Sequence, residues 1–392
     1  MPHLPKTASA QLDVVSTNRG VLVPRVNTVQ MNAIAAATNG LLVYNTDSAA
    51  FAYRDADVWL YLRGNANRAN GWSTLGNAGT NPANNFIGTT DDQPVVVRQN
   101  NVRAGLLTGS NSSWGVGALN PANTGSFNTA NGVVALLNNT TGSSNTANGV
   151  SALLSNTTGS FNTANGGNAL RNNTTGSSNT AFGLGALTFN TTGFSNVAVG
   201  RSALQRNTTH SNLVAMGDSA LFNNGVGATQ PYQGTGNTAV GSKALFANTT
   251  GFNNTANGAA ALVSNTAGSF NTANGSQALN RNSGGSSNTA NGADALFSNT
   301  IGSSNTANGL SALRFNTEGS NNTANGADAL LSNTTGNSNT AFGTAAGRNN
   351  EAGSGNVFIG NQAGFNETGS NKLYISNIAA NALLYGEFDT ER

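Results

Sequence analysis

The hydrophobic and polar positions of this chain repeat with one fixed long period. An Ala-Leu pair returns every 17 residues over most of the last two thirds of the sequence, as in Ala135-Leu136 and Ala152-Leu153. A glycine keeps the same spacing at positions 115, 132, 149, 166, 183, 200 and 217 and, after a jump of 24, at 241, 258, 275, 292, 309, 326, 343 and 360. Fifteen copies of a short unit at a fixed period predict a solenoid.

Each unit predicts two short strands and two turns. In the copy at 128–144, Asn128 to Asn131 is a first strand, Ala135-Leu136-Leu137 is a second strand, and the segment 139–143 is the return turn. Two strands and two turns in one unit form one coil of a narrow parallel β-solenoid. Since adjacent strands lie about 4.8 Å apart, the stack should be about 70 Å long.

The first strand alternates between an inner and an outer face. Ala130 and its equivalents are predicted to fill the cramped inside of the coil, and the flanking residues point outward. The outward position after the alanine holds Asn in most coils and a large apolar residue in others. We therefore predict that it forms the core of a homotrimer, with polar ladders between and along chains. Its members are Asn131, Asn148, Asn165, Phe182, Val199, Met216, Val240, Asn257, Asn274, Asn291, Asn308, Asn325, Phe342 and Ile359.

The free energies of apolar burial and of chain ordering also favour an oligomer. One coil offers two or three alanines, one leucine and an occasional phenylalanine for burial. At about 25 cal/mol per Å², that area barely balances the ordering of a coil at about 1–2 kcal/mol per residue. A single-chain solenoid should be marginally stable, whereas a trimer that also buries the first strand should not be.

The first third of the chain is not repetitive. We predict a small mixed domain at 1–76, a connector at 77–110, the repeats at 111–376 and an end segment at 377–392. The mixed domain should contain strands at 20–24, 41–44, 51–54 and 58–62 and a helix at 29–37 capped by Asn27-Thr28. Trp59, Tyr61 and Trp72 are interpreted as packing anchors, and Val95 to Val97 as one more strand.

Composition excludes several classes of function. Charged residues are only 8% of the chain and the net charge is +2, so a phosphate-binding surface for nucleic acid is not expected. There is no cysteine, hence no disulfide and no thiolate metal site. The sequence contains no run of 18 apolar residues, so we do not expect it to cross a membrane as a helix. Because the N-terminus lacks the apolar core of a secretory signal, we expect either a protein released without one, such as a virion component, or a trimmed fragment.

One motif carries a family resemblance. The segments Asn196-Val197-Ala198-Val199-Gly200 and 214–217 resemble the S-V-A-I-G core motif of trimeric autotransporter adhesin heads. Over residues 111–376 the resemblance implies a left-handed parallel β-roll that trimerises through this strand. The 17-residue coil and the Asn at the fourth motif place depart from that pattern and leave ligand specificity open. Residues 8–62 resemble N-terminal segments of large bacterial surface and tail-fibre-like proteins.

Signals for catalysis are weak. His210 lies in a repeat turn without an acidic or hydroxyl partner at a fixed offset, and it is interpreted as a turn residue. Asp294 and Asp328 occupy equivalent places two coils apart, about 10 Å, near the upper limit for an inverting glycosidase pair. A solvated charged face explains them better. We predict no enzyme activity, no cofactor and no metal site.

The strongest departure from the period is the inserted segment between Gly217 and Gly241, where seven extra residues enter. A loop on a rigid scaffold is a common place for binding residues, and we predict a binding site at Thr229, Gln230, Tyr232 and Gln233. A tolerated insertion without a ligand is the alternative. We predict that the phenylalanines on the turns pack between neighbouring chains; sugar-stacking surfaces are the alternative. They are Phe127, Phe161, Phe194, Phe252 and Phe270.

These patterns predict an extracellular, non-enzymatic homotrimeric adhesin or tail-fibre-like protein, on a cell surface or virion tail, that binds a surface receptor or glycan. A purely structural shaft is the main alternative. A glycan-depolymerising tailspike would need a carboxylate groove, and an ice-binding solenoid would need two threonines per strand face, where this chain has Thr beside Asn, Val or Phe.

Overall fold

The structure, a computed structural model, describes residue 18 and residues 20–34, 39–55, 58–62, 87–379 and 382–388. Residue contacts divide the chain into two units, 1–87 and 88–392. The predicted anchor Trp72 and residues 77–86 of the predicted connector lie outside the described residues.

The first unit is a small sheet with one short helix. The sheet order is β1 (Arg25–Val26), β2 (Leu42–Asn45), β3 (Ala50–Asp55) and β4 (Val58–Leu62), with β1 parallel to β2 and the other pairs antiparallel. Helix α1 spans Thr28–Asn32. The strands predicted at 41–44, 51–54 and 58–62 are confirmed within a residue or so. The strand predicted at 20–24 is wrong, since the chain pairs only from Arg25.

Helix α1 begins at a capping box. The Asn27 side chain accepts a hydrogen bond from the Gln30 amide at 2.8 Å, and the Gln30 side chain accepts one from the Asn27 amide at 3.0 Å. The helix packs through Met31 on Val43 and Ala52, with Trp59 and Tyr61 partly buried around this core. Trp59 and Tyr61 therefore serve as packing anchors, as predicted.

The second unit is an all-β parallel solenoid. Its ladder starts with a hairpin of β5 (Val95–Gln99) and β6 (Val102–Leu107) and ends with a hairpin of β22 (Lys372–Ile375) and β23 (Leu384–Glu387). Between them lie fifteen parallel three-residue strands, β7 to β21. They are Ser112–Trp114, Thr129–Asn131, Thr146–Asn148, Thr163–Asn165, Thr180–Phe182, Val197–Val199, Val214–Met216, Thr238–Val240, Thr255–Asn257, Thr272–Asn274, Thr289–Asn291, Thr306–Asn308, Thr323–Asn325, Thr340–Phe342 and Val357–Ile359.

The inner and outer faces of these strands follow the prediction. Ala130, Ala147 and their equivalents are fully buried in the coil, and the two flanking residues are exposed or half-buried. Strands are in register at the 17-residue period, so that Ala130 pairs with Ala147 and Asn131 with Asn148.

The second predicted strand is wrong. Residues 133–138 form consecutive turns, in which Val134 and Leu136 have positive φ angles of 55° and 52°. The Leu136 amide still donates to the Ala152 carbonyl of the next coil at 3.1 Å, and its side chain is fully buried. Burial and this hydrogen bond offset the cost of a left-handed leucine, which is roughly 1–2 kcal/mol.

Two columns of asparagine fill the polar side of each coil. Asn145 and Asn156 are fully buried, and both side chains donate to the carbonyl of Gly159 at 2.9 Å. Asn156 also donates to Asn139 of the preceding coil at 2.7 Å, and the Asn128 side chain accepts from the Asn145 amide at 3.1 Å. The columns therefore satisfy the buried polar groups of the turn, as burial requires.

Both ends of the solenoid depart from the repeat. At the start, Arg103 Nη2 donates to the carbonyls of Ala118, at 2.9 Å, and Leu119. At the end, Phe358 replaces the inner alanine and is fully buried, while Gly347 and Gly364 replace the leucines around it. A Cβ on Gly364 would lie 2.2 Å from the Phe358 ring, so the glycines make room for the larger side chain.

Candidate binding site at the interrupted coil

The seven inserted residues enter at one turn only. In a regular coil the buried asparagine donates to the glycine carbonyl three residues later, as Asn139 does to Gly142 at 2.8 Å. In the interrupted coil, Asn224 makes the same bond at 2.8 Å to Gly234, ten residues later. The insertion therefore lies between Asn224 and Gly234, and the solenoid resumes unchanged after it. We call residues 225–233 the inserted loop.

His210 stands where the other turns before the loop have a buried glycine. In the preceding coil, a Cβ on Gly193 would lie 2.4 Å from the His210 carbonyl of the next coil. His210 can carry a side chain because the following turn leaves the stack as the inserted loop. Its imidazole packs against Gly225, where a Cβ would lie 2.2 Å from the ring. Burial lowers the pKa of His210, so the imidazole is neutral at neutral pH.

The asparagine columns are broken at the same place. Leu213 stands in the position of the buried Asn196, and it has no side-chain oxygen to accept the Asn237 amide in the next coil. The buried Oδ1 of Asn207 and Nδ1 of His210 have no hydrogen-bond partner. The asparagine Oδ1 that regular coils pair with the next coil is thus left without a partner here.

The inserted loop is held by its own hydrogen bonds. Gln233 Oε1 accepts from the amides of Thr229 and Gln230 at 2.8 and 3.0 Å. The Thr235 hydroxyl donates to the Tyr232 carbonyl at 2.6 Å. Of the residues predicted to bind, Gln233 therefore shapes the loop, while Thr229 and Gln230 line the cleft beside it.

A cleft lies beside the inserted loop. Its volume is about 730 Å³, and it opens between the turn at 208–212 and the inserted loop. Its lining includes no Asp, Glu, Lys or Arg; it consists of Thr208, Thr209, His210, Ser211, Asn212, Gly225, Ala228, Thr229, Gln230, Pro231, Thr235, Gly236 and Asn253. The cleft is therefore polar but uncharged at neutral pH.

Aromatic rings border the loop. Tyr232 meets Phe252 edge to face at 5.2 Å between centroids, and Phe252 meets Phe270 in the same way at 5.0 Å. Phe127, Phe161, Phe194 and Phe270 are exposed on the turns of the single chain. Whether these rings pack between chains, as predicted, stays a prediction.

The residues predicted to form a trimer core lie on the outer face of the first strands, as the alternation required. Several Asn side chains bond along the stack, for example Asn131 to Asn148 at 3.0 Å and Asn274 to Asn291 at 2.9 Å. Where Asn is replaced, Phe182, Val199, Met216 and Val240 form an apolar band on β11 to β14.

The acidic residues weighed as a glycosidase pair each have an arginine partner. Asp294 lies 3.5 Å from Arg314, and Asp328 lies 3.7 Å from Arg348. The residues of both pairs are half-buried on the turns. Within the described ranges, no group of three His, Cys, Asp or Glu side chains is placed to hold a metal ion.

The asparagine columns and the free turn groups were missed by the sequence interpretation. The 17-residue recurrence of Asn139 in the return turn was assigned to turn propensity, and the first motif residue Asn128 was assigned no buried role. Their constancy over successive coils was the available signal, because an exposed turn does not require one residue type in every copy.

Comparison with known protein families finds a match within the first unit. The family described as "Phage tail like trimerisation region" matches residues 5–78. No curated protein and no solved structure matches the chain. Together with the β-solenoid, the match supports a fibrous, tail-fibre-like structural protein. The trimerisation region suggests a homotrimer, placed on a virion tail or a surface. None of the helices in the described residues is long and apolar enough to cross a membrane.

Proposed function

We propose that this protein is a non-enzymatic attachment fibre, in which three chains share the outer face of the solenoid strands and the inserted loop contacts a surface receptor or glycan. The observation that carries the proposal is the coincidence of two features. The apolar band of the outer face and the inserted loop occur in the same few coils, at β11 to β14.

The apolar band supports a shared face with a second copy of this chain. Phe182 is 40% exposed, Met216 43% and Val240 36% in the single chain. Contiguous exposed apolar side chains flanked by polar ladders are typical of an interaction surface. Asn and Thr in the other coils would extend the same contact with side-chain hydrogen bonds. The resemblance to trimeric autotransporter heads points to the same strand.

Support for a non-enzymatic role comes from the arrangement of the acids. A glycosidase needs two carboxyl groups facing one substrate, whereas Asp294 and Asp328 each face an arginine. The cleft beside the inserted loop contains no carboxylate at all. Attachment without cleavage is the better interpretation.

Introduced cysteines test the shared face directly, because the chain has no cysteine of its own. Val199→Cys should give oxidised, covalently linked chains when the full-length protein is treated with a mild oxidant. Val150→Cys, on an exposed turn, is the matched control and should remain unlinked. Equal linkage of both variants, or a monomeric mass of the intact protein in light scattering, would exclude the proposed trimer.

Attachment itself is tested by binding of the full-length protein to intact cells, with and without residues 227–233. Their deletion restores the regular turn length and should abolish binding. A purely structural shaft, favoured by the long regular stack, would show no binding in either form. Binding that survives the deletion would move the receptor site elsewhere on the chain.

A further inference from the structure

The regular turns contain a recurrent oxygen-binding arrangement. The amide groups of Thr140, Thr141 and Gly142 all donate to the carbonyl oxygen of Thr157, at 2.9, 3.1 and 3.3 Å. The same three-amide convergence occurs on the carbonyls of residues 174, 191, 266, 283, 300, 317 and 334. Three consecutive turn amides are therefore arranged to hold one oxygen atom of an amide group.

In the coil that begins at Asn207, just before the inserted loop, these donors have no acceptor. Within the part of the chain that the structure describes, the amides of Thr208, Thr209 and His210 make no hydrogen bond. The chain that would supply the acceptor departs at Gly225 as the inserted loop. All three residues line the cleft. Successive turn amides of this kind form a concave donor site.

The rest of the lining supplies further uncharged groups. The carboxamides of Asn212 and Asn253 make no hydrogen bond within the described residues, and both line the cleft. Asn253 lies over Gly236, where a Cβ would come within 2.2 Å of Asn253 Oδ1. No carboxylate competes for the donors, and no cation is present to attract an acid.

One exposed aromatic residue, Tyr232, directly follows Pro231 of the cleft lining in the chain and is not itself among the lining residues. Tyr232 is 55% exposed, and its ring is fixed against Phe252. An aromatic ring and convergent polar groups are the two kinds of contact that small-ligand sites combine. A pyranose ring, with an apolar face and polar edges, matches both parts.

We propose that the cleft binds an N-acetylated saccharide. The acetamido carbonyl accepts hydrogen bonds from the amides of Thr208, Thr209 and His210, and the sugar ring packs on Tyr232. The acceptor is an amide carbonyl because that is the group the same three amides bind in the regular turns. This assignment rests on the proposed attachment function and specifies its ligand class.

The test uses the full-length protein and three trisaccharide probes in calorimetric titration. The β-1,4-linked trimer of N-acetylglucosamine should bind, while the de-N-acetylated trimer and the glucose trimer should bind at least tenfold more weakly. Equal binding of all three trimers would overturn the role of the acetamido group. No binding of any trimer, with cell attachment intact, would overturn this site and leave the attachment function standing.

Two variants with matched controls locate the site. Thr209→Pro removes one free amide and should weaken binding at least tenfold without lowering Tm. Thr158→Pro removes an amide that donates to Thr174, so it should lower Tm and leave affinity unchanged. Tyr232→Ala should also weaken binding, whereas Phe161→Ala, on an exposed turn outside the cleft, should not. Unchanged affinity in both Thr209→Pro and Tyr232→Ala would contradict the proposal.

Discussion

The turn groups that regular coils bond within the stack are without partners in the coil just before the inserted loop. In the coil at 265–281, Asn265 and the amides of residues 266–268 are bonded within the stack. In the coil that begins at Asn207, the equivalent Oδ1 and three turn amides have no partner. Hydrogen bonds between the turns of successive coils stabilise the scaffold. Turn groups without a partner in the stack are the ones available to a ligand.

The largest expected effect tests the buried polar ladder of a regular coil. Asn282 donates to Asn265 and Gly285, at 2.8 and 2.9 Å, and accepts from Asn299 at 2.7 Å. Asn282→Asp places a carboxylate against two oxygens in a fully buried position and should cost about 3–5 kcal/mol at neutral pH. Burial raises the pKa of the new carboxyl above its unfolded value of about 3.9.

The loss for Asn282→Asp should therefore be least at low pH and grow as the pH rises through the raised folded pKa. Chemical denaturation at several pH values measures it. Asn138→Asp, on an exposed turn, is the control and should change stability little. A pH-independent loss would contradict the assignment of a buried carboxylate.

The next prediction compares the glycine position of the return turn in a regular coil, at Gly268, with the same position beside the inserted loop, at His210. A Cβ on Gly268 would lie 2.3 Å from the Gly285 carbonyl. Gly268→Val should therefore destabilise the solenoid by about 3 kcal/mol, because the backbone it meets cannot move aside. His210 holds the equivalent position beside the inserted loop, and His210→Gly should lower Tm much less. Similar losses in thermal unfolding of the two variants would show that the stack is not relaxed at the interrupted coil.

A third prediction concerns the column formed by the first asparagine of each motif. Asn254 belongs to this column, and Leu213 replaces asparagine in it. Asn254 donates to Gly268 at 2.9 Å and accepts the Asn271 amide at 3.0 Å. Asn254→Leu should cost about 2 kcal/mol, since it leaves the buried Asn271 amide without an acceptor, while the Gly268 carbonyl still accepts from Asn265. Leu213→Asn gives the Asn237 amide an acceptor and should be neutral or stabilising.

Amide hydrogen exchange measures the effect of each of these two substitutions at a single residue. The Asn271 amide should exchange faster in Asn254→Leu, and the Asn237 amide more slowly in Leu213→Asn. Unchanged exchange at both sites would contradict the column as the source of protection.

The smallest effect concerns His210. Its pKa is lowered by burial, so the unfolded chain binds the proton more readily than the folded chain. Stability should therefore fall as the pH is lowered through about 6.5 and below, toward the folded pKa. The Tm of wild type and His210→Gln, measured between pH 5 and pH 8, should diverge only at the acidic end. Parallel curves would show that His210 is not held neutral.

Sequence alone predicted the period, the inner alanines and the outward columns, because glycine spacing and side-chain alternation follow directly from chain geometry. It did not predict the left-handed Leu136, since leucine rarely adopts that conformation and only the next coil stabilises it. The inserted loop was located correctly, but the hydrogen bonds of Gln233 to the Thr229 and Gln230 amides were not predicted, because they depend on the conformation of the loop. Ligand binding by Gln233 stays a prediction. The free amides of residues 208–210 depend on an acceptor 17 residues further on, which no local pattern shows.

The glycine column has a consequence for how such a protein can change over generations. Because Gly132 abuts the Gly149 backbone and each later glycine abuts the next, a residue added to or removed from the stacked part of an inner coil breaks contacts in both neighbours, unless it lies in a turn that leaves the stack, as the inserted loop does. A gain or loss of a whole unit breaks none. Gene duplication can therefore lengthen the stack in steps of about 4.8 Å. The number of copies on each side of the cleft therefore sets the distance from the cleft to each end of the solenoid.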